Sequence, residues 1–186
     1  MPLYGIALLA GALIGIADCE PVEAEWGDHL LSVCDPRFSG EPVYSATVRA
    51  SLILPPASQQ VLLYRSGGEW FVRIAGYSDK DGAISTRRID VPVSEAEAQS
   101  FIRLLTPATF ERLSRLEYYG EENFVCTDGS NYELAFAQGG RTVSASQHSC
   151  AGTSELFEII ARFRKLAIAH DRKSRGMLYW LGRERH

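Results

Sequence analysis

Two pairs of adjacent glycines, each set between runs of alternating apolar and polar residues, constrain this chain more than any other feature. Val61 to Arg65 and Glu69 to Gly76 flank Ser66-Gly67-Gly68. Tyr132, Leu134 and Phe136 alternate ahead of Gln138-Gly139-Gly140, which turns the chain into Arg141 to Gln147. Glycine takes the positive φ that a tight hairpin turn demands, and period-two alternation gathers the apolar side chains on one side of a strand. Each arrangement predicts a β-hairpin, and hairpins build antiparallel sheet.

Further strands surround the first hairpin. Tyr44, Ala46, Val48, Ala50, Leu52 and Leu54 alternate with Ser45, Thr47, Arg49, Ser51 and Ile53 until Pro55-Pro56 stops the run. Asp79-Lys80-Asp81-Gly82 supplies a turn into a strand from Ile84 to Val91, so 43–91 reads as an antiparallel meander. Trp70 and Phe71 are neighbours, and a regular strand cannot point both inward; which of the two is covered stays open at this level.

Helices follow. Ser94 and Glu97 have capping-box spacing, with the hydroxyl on an orphan N–H of the first turn and the carboxylate reaching back to the cap. Ala98, Phe101, Ile102 and Leu105 continue at helical spacing, and Pro107 ends the run because its ring disfavours α geometry at Thr106. Thr106 caps a second helix with Pro107 in its first position, Phe110, Leu113 and Leu116 as its buried stripe, and Gly120 as its stop. A last helix begins near Thr153 or Ser154, where Leu156, Ile159, Ile160, Phe163 and Leu166 share one face. Without alternating βαβ units, the fold class is α+β: a mainly antiparallel sheet from two hairpin regions, a central helix pair and a C-terminal amphipathic helix.

Met1 to Ala17 carries no charged side chain and ends in small residues, with Gly15 and Ala17 where a signal peptidase reads. Residues 1–17 are therefore expected to be a secretory signal, 18–170 a single α+β domain and 171–186 a basic aromatic tail. The product would be periplasmic or secreted. A retained N-terminal membrane anchor is the less favoured reading, because the apolar span is short of the roughly 20 residues that cross a bilayer and its glycines weaken a helix. Asp18 stands where a lipobox requires a small residue, so Cys19 is not read as a lipidation site.

Export makes disulfides permissible. Cys19, Cys34, Cys126 and Cys150 allow three pairings, and proximity favours the two local ones, the first tying down the mature N-terminus and the second clamping the later hairpin. A zinc site on Cys126, His148 and Cys150 lacks both a Cys-x-x-Cys pair and a fourth ligand, so no metal or cofactor is expected. The net charge of −4 argues against nucleic acid as a partner.

Charge is unevenly spread, however. Arg162, Arg164, Lys165, Arg172, Lys173, Arg175, Arg183 and Arg185 crowd the C-terminal end against only Asp171 and Glu184. Arg172, Lys173, Arg175, Tyr179 and Trp180 are thus candidate contact residues, either on an anionic bilayer with the rings at headgroup depth or folded back over the acidic body of the domain; fold-back is the favoured reading.

Catalytic candidates fall one by one. Asp79-x-Asp81-Gly82 begins like a calcium loop, but Ala83 and Ile84 occupy the next ligand and glycine positions, so it is a turn. Ser130, after Asp128-Gly129, lacks the strand-to-helix elbow of a nucleophilic serine. His148, Ser149 and Cys150 place a base, a hydroxyl and a thiol together, yet a Cys–His dyad needs a reduced thiolate, and Cys126 offers a bridge instead. Asp28 and His29 near Trp26 lack an identifiable third group. No catalytic residue is assigned.

Val48-Arg49-Ala50-Ser51, the glycine hairpin, Ser94-Glu95-Ala96-Glu97, and Asp128-Gly129-x-x-Tyr132-Glu133-Leu134 followed by Gly139-Gly140-Arg141 together resemble small exported proteobacterial proteins of unassigned activity. The resemblance implies a place, not a reaction. Phe124-x-Cys126-x-x-Gly129-x-x-Tyr132-x-Leu134-x-Phe136 also resembles the opening of the membrane-bound lysozyme-inhibitor family, whose periplasmic members bind the enzyme's active cleft; their inserting Ser-Gly loop has no counterpart after Val143. The expected function is a non-enzymatic interaction module that binds a protein or another envelope component. A small periplasmic hydrolase using His148 or His29 is the alternative, and a lysozyme-inhibitor-like module the minority alternative.

Overall fold

The computed structural model describes residues 17–19, 30–38, 40–50, 58–80, 83–114, 129–149, 154–178 and 181. Strands β1 (Ala17–Asp18), β2 (Val43–Ala50), β3 (Ser58–Ser66), β4 (Glu69–Lys80) and β5 (Ala83–Val93) precede helices α1 (Glu95–Ile102) and α2 (Pro107–Ser114). Strands β6 (Ser130–Gln138) and β7 (Arg141–His148) and helix α3 (Ser154–His170) follow. One seven-stranded sheet has the order β1-β7-β6-β2-β3-β4-β5, with every neighbouring pair antiparallel. The fold is α+β, as the alternation and helical spacing predict.

Both glycine turns form as expected. Ser66 pairs with Glu69 and Gln138 with Arg141, while Gly67 and Gly68 (φ 59° and 88°) and Gly139 and Gly140 (φ 59° and 78°) occupy the two central positions. Two consecutive left-handed residues match the right-handed twist of the flanking strands, and a side chain there is strained. The meander continues through β5, whose Ala83 pairs with Lys80. On the side away from its hairpin partner β7, β6 lies not against β5, the strand before it in sequence, but against β2, with Tyr44 opposite Phe136 and Val48 opposite Tyr132.

Alternation sorts the sheet into two faces. The inner face carries Tyr44, Ala46, Val48, Val61, Leu63, Val72, Ile74, Leu134 and Ala145, and α1, α2 and α3 bury it. Leu156, Ile160 and Phe163 of α3 are fully buried, and the Phe163 ring meets Phe101 of α1 edge-on at 4.6 Å. Each such side chain contributes roughly 1.5–3 kcal/mol of transfer free energy. Trp70 takes the inner face, 3% exposed, with Nε1 donating to Glu95 at 2.9 Å; Phe71 takes the outer one.

Capping departs from expectation in one respect. The Ser94 hydroxyl accepts from the Glu97 N–H at 3.3 Å, but the Glu97 carboxylate meets the His170 ring at 2.9 Å, so it joins α1 to the end of α3. Thr106 caps α2 through its hydroxyl, which accepts from the Thr109 N–H at 3.2 Å. Among the described residues no helix is long and apolar enough to cross a membrane. Expectations resting on 1–16, Leu52 to Pro56, Asp81-Gly82, Leu116, Gly120 and Phe124 to Asp128 lie outside the described residues.

Candidate functional site

The outer face is covered differently. Residues 30–38 run over it as a strap, placing Val33 and Phe38 on Val43, Leu62, Ala135 and Ala137. Gln60 holds the strap by its amide: the Leu31 N–H donates to Oε1 and Nε2 donates to the Leu31 carbonyl, each at 2.9 Å. The same Nε2 lies 3.2 Å from both the Ser45 and Thr47 hydroxyls, so these buried polar atoms satisfy one another.

A Cys19–Cys34 disulfide closes the strap onto β1, and the Cys19 N–H donates to Gly140 at 2.8 Å. This is the first of the two local bridges. Cys126 and Cys150 lie outside the described residues. Beside the clasp is a cavity of about 110 Å³ lined by the bridge, Val33, Phe38, Gly40, Ala137 and Gly139. That is well below the roughly 300–1,000 Å³ of small-molecule pockets.

Next to the strap an aromatic row leaves the cover. Phe38 is buried, but Tyr64 and Phe71 are half-buried, with ring centroids 5.1 Å (Phe38–Tyr64) and 5.5 Å (Tyr64–Phe71) apart. The Tyr64 hydroxyl donates to Asp90 at 3.2 Å, and the other Asp90 oxygen receives Arg73 Nη1 at 2.5 Å. Arg73 is 8% exposed, and its Nε has no hydrogen-bond partner among the described residues. Burial, together with the Asp90 charge and hydrogen bond, pushes the Tyr64 phenol up to about 12. It stays a neutral donor throughout ordinary pH. The row is thus apolar on its rings and polar at its rim.

Ser130 is a buried strand residue whose N–H donates to the Ser149 hydroxyl at 3.0 Å, while the Ser149 N–H donates back to Ser130 at 2.8 Å. Ser149 thereby closes the open end of the second hairpin. The His148 ring lies against Gly129, where an added Cβ would come within 2.1 Å of Cε1. Asp28 and His29 lie outside the described residues. Among those described, no group of three or more His, Cys, Asp or Glu could hold a metal ion. Arg49 and Glu133, from two separate motifs of the sequence, meet at 2.9 Å across β2 and β6.

After α3 the chain returns to the domain. Asp171 accepts from Arg87 at 2.7 Å and from the Ser174 hydroxyl, Arg164 Nε donates to the Leu178 carbonyl at 2.7 Å, and the Leu181 N–H donates to Gln59 at 3.3 Å. Leu178 and Leu181 are 0% and 1% exposed, inside the main core. Burial opposes ionisation of Asp171, but the Arg87 and Ser174 hydrogen bonds and the Arg87 charge outweigh it and hold the carboxyl below its ordinary range. Arg172, Lys173 and Arg175 are exposed; Tyr179 and Trp180 lie outside the described residues.

The aromatic row, the buried Arg73 and the strap had no signal in a single strand, because each depends on which residues face each other across strands. The pairing of Tyr64 with Phe71 follows only once the hairpin register is known. No protein-family model, curated protein or solved structure matches this chain.

Proposed function

We propose that this chain is an exported, non-enzymatic interaction module that binds a protein partner of the envelope through the outer face of its sheet. The observation that carries the reading is the half-buried Tyr64–Phe71 pair beside the Arg73–Asp90 ion pair. Aromatic and arginine side chains concentrate at protein contacts because they combine large apolar area with a polar edge. Tyr64 is already fixed by its stack and by Asp90, so little side-chain freedom is left to lose on binding. The Cys19–Cys34 disulfide supports an oxidising compartment, in keeping with the signal-like segment before it.

The test is capture from envelope extract with the mature chain and with Phe71→Ser as bait, after equal melting of the two has been established. The reading expects a discrete protein bound by the first and lost with the second. Equal capture by both removes the outer face as the contact. His148→Ala and His29→Ala should leave capture unchanged; loss of an envelope phenotype in either, with stability intact, would favour a hydrolase instead.

A further inference from the structure

The sheet ends on one side with β5. At the opposite edge the short β1, anchored by the Cys19–Cys34 bridge, covers the start of β7; among the described residues β5 has no such cover. In an antiparallel pair, facing residues alternate between those that bond each other through the backbone and those whose N–H and C=O turn away. Pro92, opposite Phe71, has no N–H to donate, which marks its place as a turned-away one. Lys80 and Ala83 agree with this phase, because a two-residue loop closes on a bonded pair. Asp90, Arg88 and Thr86, in step with Pro92, therefore aim their backbone groups away from β4. Among the described residues none of these groups bonds another part of the backbone, and all four residues are exposed.

The side chains beside this open edge carry opposite charges. Asp90 lies on the outer face, where Tyr64 and Arg73 hold its two oxygens. Arg88 shares that face two residues earlier and meets no carboxylate among the described residues. From the open backbone and these charges we infer that β5 docks antiparallel on β5 of a second copy of this chain, with Arg88 of each copy opposite Asp90 of the other and Ile89 facing Ile89 on the two-fold axis. The adjacent registers that also match the backbone groups place Arg88 opposite Arg88 or Asp90 opposite Asp90, and like charges directly opposite repel. Charges on an edge strand ordinarily keep other strands off; here they exclude the wrong registers and favour one. A two-fold contact uses the same patch twice, so a foreign strand would have to supply the complement that β5 already carries. Pro92 then faces Thr86, where its missing N–H costs a bond only at the end of the ladder. The pairing brings Arg88 of the second copy to the Asp90 carboxylate beside Tyr64 and Arg73, and it does not depend on the envelope contact proposed above.

The test is sedimentation velocity of the full mature chain over a range of concentrations, beside variants that melting curves show to fold alike. A facing pair of charges is worth roughly a twofold factor, favourable or unfavourable by sign; Arg88→Glu exchanges attraction for repulsion at both symmetric places, so it should weaken the dimer on the order of 20-fold. Thr86→Pro removes a turned-away N–H and should also weaken it, while Arg141→Gln at the far edge of the sheet should not. Ile89→Cys reads the register independently: facing residues at a non-bonded place have Cα atoms about 4.5 Å apart, within disulfide reach, so mild oxidation should give a covalent dimer. Arg88→Cys, out of reach of its own copy in this register, should not cross-link. Four outcomes overturn the inference: a monomer at every concentration, a dimer that neither Arg88→Glu nor Thr86→Pro weakens, equal weakening by Arg141→Gln, or cross-linking through Arg88→Cys in preference to Ile89→Cys. A monomer whose Arg88 and Asp90 amides gain hydrogen-exchange protection only on adding another protein would assign the edge to a foreign strand and overturn it too.

Discussion

Replacing Cys19 and Cys34 together by serine should lower global stability while leaving the sheet intact. The bridge spans a sequence separation of 15 residues. In the chain-entropy picture, removing a link of that length frees the denatured chain by about 3 kcal/mol. Little else holds β1, since it contributes only Ala17 and Asp18 against Thr142 and Arg141 and the Cys19 bond to Gly140. The strap keeps its own contacts, with Gln60 on Leu31 and with Val33 and Phe38 on the outer face. Substitution is preferable to a reductant, which would also act on any bridge between Cys126 and Cys150. For a urea slope of about 2 kcal/mol/M, the midpoint should fall by roughly 1.5 M. Hydrogen exchange should show the amides of Cys19 and Leu31 losing protection before those of β3 and β4. A midpoint shift below about 0.5 M would refute the reasoning, because a clasp that restrains the denatured chain must cost more than that when removed.

Three further outcomes follow. At Gly76 an added Cβ would sit 2.7 Å from the Met177 carbonyl oxygen, so Gly76→Ala should cost about 1–3 kcal/mol and open the chain after α3 to cleavage at Lys173 or Arg175; unchanged proteolysis would show that the segment does not rest there. Asp171 is held below the ordinary carboxylate range, so its contribution is present above about pH 4 and is lost as pH falls through the lower folded value; urea midpoints of Asp171→Asn should vary less with acid than those of the parent. Tyr64 is raised to about 12, so its contribution is complete below about pH 10 and is lost as pH rises toward that value; ultraviolet titration should show a late-ionising tyrosine that Tyr64→Phe removes.

What could be read along the chain is what neighbours in sequence decide. The glycine pairs set both hairpins, Ser94 and Thr106 set two helix starts, and the Leu156-to-Leu166 stripe sets α3, because turn chemistry, capping and periodicity act over a few residues. What could not be read is what the third dimension decides. Strand β6 pairs with β2 across a long stretch of chain, and no turn specifies that register. Alternation shows that Trp70 and Phe71 face opposite ways, but only the position of α1, with Glu95 waiting for the indole N–H, assigns Trp70 to the core. Glu97 has capping-box spacing, yet His170, remote in sequence, takes its carboxylate. The candidate site was the least legible part, since Arg73, Asp90 and Tyr64 come from three strands and carry no motif.

The two faces of the sheet explain why a chain of this size has a disulfide where it does. Three helices cover the inner face with large side chains such as Phe101, Phe110, Phe163 and Leu156, and burial on that scale holds the layers together without a covalent link. The outer cover is a short strap that contributes Val33, Phe38 and part of Leu31, fewer large side chains than the helices set against the entropy of ordering a segment. Tethering it through Cys34 to Cys19 removes much of that entropy beforehand. A strap held by a bond rather than by area can be narrow, and a narrow strap leaves Tyr64 and Phe71 half uncovered beside Asp90. The clasp and the proposed contact row are therefore consequences of one arrangement.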